Sequence, residues 1–401
     1  MQAKLTPRAM RYNIVLIGRR NTGKSSLLNA LTNQSISIVS DVAGTTTDVV
    51  TKPYELLPLG AVTFFDTAGL DDDSNLGLQR INATRKALYK ADIVIFTIDE
   101  KGITDFDIQN ILKIKQMNIP LIVVFTKEDI EKAKTQDKSF LQKNDIIYTH
   151  VSSIYNKGIT ELKNMLIKAL SVDNNETHSL LDDIIRNKDI VILVTPIDNS
   201  APKDRLILPQ VQILRNILDE NAVAVVTKVN ELEKSIKTLK DTPKIVITDS
   251  QVVSEVNKIV PQHIDITTFS ILFARFKGDL KVMVDGAKKI DTLDNNSKIL
   301  IVEACSHHAQ DDDIARIKIP ALLKKYTKKN LDFEFCTGCD FPEMLEKYDL
   351  VVHCGACMLN RVEMNRRLNE CVRRSVAITN YGVAISKTQG VFDRVIKPFG
   401  L

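Results

Sequence analysis

Apolar residues in this chain come in short, nearly unbroken runs rich in Val and Ile. Between them lie longer stretches whose apolar positions recur every three or four residues. The runs fall at 12–17, 62–65, 93–98 and 121–125, then at 190–194, 222–226 and 244–247, then at 299–302, 331–335, 350–352 and 376–378. Strands without polar alternation are buried on both faces, and helical stretches between them supply the cover, so the pattern predicts parallel α/β sheets. Two polar segments interrupt it, SVDNNETHSLLDD from Ser171 and KKIDTLDNNSK from Lys288, both rich in Asp and Asn. They divide the chain into three domains in series, 11–170, 184–287 and 298–401, an α/β architecture throughout.

The first run is followed by GRRNTGKSS, which places Gly18, Gly23, Lys24 and Ser25 in a G-x-x-x-x-G-K-[ST] pattern, with an amphipathic stretch after it. Glycines let backbone N–H groups curl around phosphates at a helix N-terminus. Lys24 would reach the β- and γ-phosphate oxygens, and the Ser25 hydroxyl, beside Ser26, would ligate Mg²⁺. FDTAG from Phe65 ends another strand, with Asp66 suited to Mg²⁺ and Gly69 able to offer its N–H to the γ-phosphate. VFTKED from Val124 places Thr126 and Lys127 before Asp129, a two-oxygen acceptor for the N1–H and exocyclic amine of guanine, a donor pair that adenine lacks. The VSSIYNKGI stretch puts Ser152 and Ser153 where a guanine O6 contact would lie. The first domain therefore reads as a P-loop GTPase binding GTP/GDP, followed by two smaller parallel-sheet domains.

In this order and spacing the set resembles the small GTP-binding proteins of tRNA modification and ribosome assembly. GTTTD from Gly44 matches their switch motif, and Thr46, or else Thr45, is the threonine expected on Mg²⁺ and the γ-phosphate. Lys24, Thr46 and Gly69 are the expected catalytic groups. Leu70 follows the FDTAG turn where a glutamine would orient water, so intrinsic turnover should be slow. Asn21 resembles the asparagine that holds potassium in several of these proteins, where K⁺ replaces an arginine finger; otherwise it only shapes the loop.

Composition adds less. The charged fraction of 26% and apolar fraction of 44% are those of a soluble globular protein, and +4 is the small difference between 54 basic and 50 acidic residues. Near-neutral charge and 5% aromatics speak against nucleic acid as a partner. Arg366, Arg367, Arg373 and Arg374, at helical spacing, read as a solvated face. No apolar run is long enough to span a bilayer, and the N-terminal MQAKLTPRAMRY lacks a signal-peptide core, so no membrane is expected and the cytoplasm is the expected compartment. In that reducing setting six cysteines point to metal or redox chemistry rather than disulfides.

The thiols sit where parallel strands end: KILIVEACSHH leads to Cys305, LDFEFCTGC to Cys336 and Cys339, DLVVHCGAC to Cys354 and Cys357. Carbonyl ends of parallel strands face one crevice. Two sets compete there. Cys336, Cys339, Cys354 and Cys357 are close to a zinc-ribbon spacing, although a helix over 342–348 between parallel strands does not suit a ribbon. Cys305-x-His307 with His353-Cys354-x-x-Cys357 supplies three thiolates and two imidazoles, suited to a [4Fe–4S] cluster with one open iron, or to zinc. A bare Cys354/Cys357 redox pair is a third reading. Cys371 reads as a small core residue.

C-x-H and H-C-x-x-C some forty-five residues apart, behind a GTPase and a middle α/β block, resemble the [FeFe]-hydrogenase maturation GTPases, the HydF family. ILVTPIDNSAPKDRLILPQVQ from Ile192, FSILFARFKGDL from Phe269, DIARIKIP from Asp313 and TNYGVAIS from Thr379 extend the likeness over the whole chain. The resemblance implies a [4Fe–4S] cluster on Cys305, Cys354 and Cys357, with His307 and His353 as a ligand or as hydrogen-bonded supports, and Asp311, Asp312 and Asp313 close by. It implies a scaffold that carries a diiron precursor, a dimerising middle domain, and apo-[FeFe]-hydrogenase and its other maturation proteins as partners. Because switch loops and cluster fall in separate domains, GTP turnover is expected to gate partner exchange rather than to drive the metal chemistry. Cys336 and Cys339 lie outside the family motif. The rival is an RNA- or ribosome-assembly GTPase with a structural zinc site.

Overall fold

The computed structural model describes residues 10–32, 50–70, 77–127, 129, 135–172, 179–196, 206–304, 314–338, 341–342, 344–356 and 359–401. They fold as two compact units, Met1–Thr177 and His178–Leu401.

The first unit is built on strands β1 (Tyr12–Gly18), β2 (Val50–Leu56), β3 (Gly60–Asp66), β4 (Ile93–Ile98), β5 (Leu121–Phe125) and β6 (Ile147–His150). Their order in the sheet is β2-β3-β1-β4-β5-β6, with all neighbours parallel except β2 against β3. Successive side chains of a strand point to opposite faces. Ile14 and Leu16 of β1, Ile93 and Ile95 of β4, and Ile122 and Val124 of β5 enter one core. Val15, Ile17, Val94, Phe96, Ile98, Val123 and Phe125 enter the other. This double burial is why the strands read as continuous apolar runs. The chain leaves β1 for β3 on one side and returns to β4 on the other, so the end of β1 is a switch point where ligands bind in such sheets.

The second unit carries β7 (Ile190–Val194), β8 (Val223–Thr227), β9 (Ile245–Thr248) and β10 (Asp265–Thr268), ordered β10-β9-β7-β8. It also carries β11 (Lys298–Glu303), β12 (Asp332–Thr337), β13 (Leu350–His353) and β14 (Ala377–Asn380), ordered β12-β11-β13-β14. Both sheets are parallel throughout. One core runs through both: Ile192, Val194 and Val246 of the first sheet belong to the same buried cluster as Ile299, Ile301, Leu350 and Val352 of the second. The opposite face of the first of these sheets has its own core around Val191, Leu193, Ile245 and Ile247.

Three strands escaped the hydrophobic pattern. β2 is the antiparallel strand at the sheet edge and contains Pro53, whose missing N–H an edge tolerates. β6 and β10 are four residues each, and β10, Asp-Ile-Thr-Thr, is buried through its threonines rather than through an apolar run. The helix expected over 342–348 is not formed: the described residues there are turn and irregular chain, closed by Tyr348 N–H donating to the Leu345 carbonyl at 2.9 Å. The segment instead buries Leu345 and Tyr348, whose hydroxyl reaches Glu334 on β12.

In the second unit one helix meets the sheet of β11–β14 so closely that the approach admits no side chain. At Gly286, in helix Leu280–Lys288, a Cβ would lie 1.9 Å from the Ile378 carbonyl oxygen of β14. Gly286→Ala forces helix and strand apart and should cost about 1–3 kcal/mol, as overpacking does. Urea unfolding followed by circular dichroism should show the loss; an unchanged midpoint would show that this close approach contributes nothing to stability.

Candidate functional site

The phosphate loop is shaped by contacts that leave little choice of residue. At Gly18 a Cβ would meet Thr97 Oγ1 at 2.3 Å and the Thr97 carbonyl at 2.6 Å. Gly23 has φ of +80°, which glycine adopts without strain. Arg19 points away from the loop: its Nε donates to Asp107 at 3.0 Å, and its terminal nitrogen donates to Asp99 at 2.9 Å and to the Gly102 carbonyl at 3.1 Å. Asp107 is fully buried and also accepts from Thr104 in the capping box of helix Asp105–Gln116. The loop is thus pinned to the end of β4 by a charge-assisted network that sequence reasoning missed, since its members are 80 or more residues apart.

Lys24, Ser25, Asp66 and Thr126 meet at this switch point. Lys24 is buried, its ammonium donating to the Gly18 carbonyl at 3.2 Å and the Arg19 carbonyl at 2.6 Å. The Ser25 hydroxyl donates to Asp66 Oδ2 at 2.6 Å. Gly69 is described just before Leu70, whose N–H donates to the Gly18 carbonyl at 3.2 Å and so fastens this turn to the phosphate loop. From β5, the buried Thr126 donates through Oγ1 to the Thr22 carbonyl at 2.7 Å and the Ile98 carbonyl at 3.0 Å, while Gly23 faces its side chain. Lys127, at φ +58°, pairs with Glu100 at 2.9 Å, and Asp129 is exposed. Ser152 is buried in a two-way backbone pairing with Lys157, and Ser153 lies half-buried next to it. Asn21, at φ +62°, and Ser26 are exposed. Gly44, Thr45 and Thr46 lie outside the described residues.

Burial pushes the Asp66 carboxyl above the usual range, against the Ser25 hydrogen bond and the charge of Lys24. Its Oδ1 is buried without a hydrogen-bond partner, a costly arrangement that a divalent cation would relieve. Ser25 and Asp66 therefore fit Mg²⁺.

The second site lies where β11 and β13 end side by side. Cys354 follows β13, and its half-buried Sγ accepts the N–H of Ala304 at 3.2 Å. Ala304 immediately precedes Cys305 in the sequence. His353 is fully buried. Arg367 donates from Nη1 to its Nε2 at 3.0 Å, and since a guanidinium has no lone pair to offer, Nδ1 carries the proton and donates to the Cys354 carbonyl at 2.9 Å. Burial first, and then the Arg367 charge, push its pKa down to about 3, against the Cys354 carbonyl, so the ring is neutral. Arg367 is 2% exposed and paired with Glu363 at 2.9 Å. The expectation of a solvated arginine face fails at one position: Arg373 is exposed, whereas Arg367 turns inward, and its spacing of four from Glu363 could not have told this, since the same spacing in Arg215/Asp219 and Lys281/Asp285 lies on the surface.

Cys305, His307, Cys357, Cys339 and Asp311–Asp313 lie outside the described residues. Among the described residues, no group of three His, Cys, Asp or Glu side chains is placed to hold a metal ion. The donor that is described, a sulfur holding a backbone N–H, suits a thiolate ligand of iron or zinc. Cys336 lies on β12 opposite Val302, and Cys371 is fully buried, its thiol pushed up to about 12 by burial.

Family models match the second unit nearly end to end: a hydrogen maturase F dimerization domain over 180–278 and a hydrogen maturase F tetramerization domain over 281–398. Together they cover more than half of the chain. It belongs to the hydrogen maturase F family. A 50S ribosome-binding GTPase model matches 13–127. Among curated proteins, the tRNA modification GTPase MnmE of Endomicrobium trichonymphae is 33% identical over 183 residues, which is 44% of this chain and 40% of that protein. GTPase Der of Campylobacter hominis is 32% identical over 181 residues, 44% and 38% of the two chains. This chain thus spans about two-fifths of the length of the curated relatives it matches. Of solved structures, Era of Aquifex aeolicus matches at 24% identity and TM-score 0.35, covering 51% of this chain and 65% of that one.

Arg367→Met would leave Glu363 as a buried carboxylate without its partner, and should destabilise the second unit by about 3–5 kcal/mol. Urea unfolding checks this. The double variant Arg367→Met/Glu363→Leu should recover most of the loss.

Proposed function

We propose that this protein hydrolyses GTP and serves in the maturation of [FeFe]-hydrogenase, holding a [4Fe–4S] cluster and carrying a diiron precursor to the apo-enzyme. The observation that carries the cluster reading is the hydrogen bond from Ala304 N–H to Cys354 Sγ. It joins the two thiol-bearing segments, fifty residues apart, at neighbouring strand ends. Cys305, Cys354 and Cys357 would supply the thiolates. His353 is a support rather than a ligand, because its two ring nitrogens are engaged by Arg367 and by the Cys354 carbonyl. His307 and the Asp311–Asp313 run are the nitrogen and oxygen donors nearest in sequence for the open iron. The cluster supplies an iron site with exchangeable coordination.

In the first unit, Lys24 and the loop N–H groups bind the phosphates and Gly69 offers its N–H to the γ-phosphate. Thr126 holds the guanine-binding segment to the phosphate loop, Asp129 accepts from the base, and Ser152 and Ser153 lie at its O6 edge. Ser25, Asp66 and Thr46 would hold Mg²⁺, which neutralises charge on the transferred phosphoryl group. Leu70 cannot orient water, and Arg19 is committed to Asp99 and Asp107, so neither supplies the missing catalytic group. That favours K⁺ at Asn21 as the balancing charge.

The matched domains support self-association. We read a homodimer formed through 180–278, where Val223 and Val226 of edge strand β8 and Val211 and Leu218 of helix Leu208–Asp219 are exposed apolar residues. Other maturation proteins and apo-hydrogenase are the partners of this reading, and the cytoplasm its compartment. Among the described residues no helix is long and apolar enough to cross a membrane. The RNA-linked alternative rests on likeness over 44% of the chain and explains nothing of the second unit.

Anaerobic reconstitution with iron and sulfide should give a broad absorption band near ~400 nm and a reduced-state EPR signal. Both should be lost in Cys305→Ser. A colourless protein holding stoichiometric zinc would refute the cluster. GTP turnover should be slow in Na⁺ and severalfold faster in K⁺, as phosphate release measures; equal rates would remove potassium from the mechanism.

A further inference from the structure

Lys277 ends helix Phe269–Lys277, which packs on the sheet of β7–β10, yet its side chain serves the other sheet. It is 5% exposed. Its ammonium donates to the Ala356 carbonyl at 2.7 Å and to the Leu359 carbonyl at 2.9 Å, and lies 5.7 Å from the centre of the Phe273 ring. Those carbonyls flank Cys357 in the sequence, and Ala356, with φ of +52°, occupies a left-handed conformation that alanine does not choose unaided. A lysine is almost never buried without a compensating purpose, because the ammonium gives up its hydration. The neighbouring buried cation, Arg367, sets its charge against Glu363. Lys277 sets its ammonium on the Ala356 and Leu359 carbonyls, which stand on either side of Cys357 in the sequence.

We propose that Lys277 is the positioning residue of the cluster loop. Its ammonium ties the Ala356 and Leu359 carbonyls to one point and so holds the chain that follows Cys354 in one shape. Its charge also favours the more anionic, reduced form of the cluster. The inference deepens the iron–sulfur reading and rests on it. In a dry setting, a fixed positive charge stabilises the state carrying one more electron and raises the reduction potential.

The test uses the full-length protein and the variants Lys277→Met, which removes charge and donors, and Lys277→Gln, which removes charge but keeps a donor. Without metal, hydrogen exchange at the amides of Cys354, Gly355, Ala356 and Leu359 should quicken at least tenfold in Lys277→Met, with urea stability measured alongside to separate loop opening from global unfolding. After reconstitution with iron and sulfide, loss of iron to a chelator should quicken by a similar factor. The midpoint potential of both variants should fall, by about 59 mV for each tenfold loss in the reduced-to-oxidised ratio. Unchanged exchange in Lys277→Met overturns the positioning role, and an unchanged potential in Lys277→Gln overturns the electrostatic one. Should the wild type take up no cluster, the iron–sulfur reading fails, while the exchange experiment on the metal-free protein still decides what Lys277 does to the loop.

Discussion

A cation taken out of water loses several kcal/mol of hydration unless the protein returns the hydrogen bonds it gave up, and this constraint organises both sites. Beneath the phosphate loop Arg19 is held by Asp99 and Asp107, while Lys24 is folded onto the carbonyls of Gly18 and Arg19. Beside the cysteine loop Lys277 holds the carbonyls of Ala356 and Leu359, and Arg367 holds His353. In each case the charge can be buried only if the loop keeps one shape. The loop in turn keeps that shape because moving would strand the charge.

The parallel sheets decide where these loops lie. Strands buried on both faces need helical crossovers, so parallel strands enter their sheet in the same sense and their carbonyl ends share one edge. At that edge of the first unit β1, β3, β4 and β5 bring together the phosphate loop, Asp66, Asp99 and Thr126. In the second unit the same rule brings Ala304 and Cys354 within a hydrogen bond of one another. The shared core around Ile192, Val246, Ile301 and Val352 then fixes the helix carrying Lys277 against the sheet carrying Cys354.

The buried pairs also explain why site chemistry should depend on residues that touch no ligand. His353 is neutral because burial and Arg367 disfavour its charged form, and its orientation is set by two hydrogen bonds from opposite sides. Asp66 is held in a desolvated place with one oxygen on Ser25 and the other lacking a partner. Both groups are held away from water, at a cost borne by the packing around them.

Local pattern alone located most strands and the phosphate loop, because a doubly buried strand must be apolar throughout and a phosphate loop must have glycine at Gly18 and Gly23. It did not find β2, β6 or β10, whose burial comes from neighbours rather than from their own composition. It also proposed a helix over 342–348, where a turn buries Leu345 and Tyr348 instead. What the residues by themselves determined is which chemical groups are present and at which strand ends they stand. Only the tertiary structure decided that Arg367 faces inward, that both nitrogens of His353 are engaged, and that Lys277 reaches across to the cysteine loop. Arg367 and His353 are 14 positions apart and Lys277 and Ala356 are 79 apart, and no spacing rule spans such distances; packing alone brings them together.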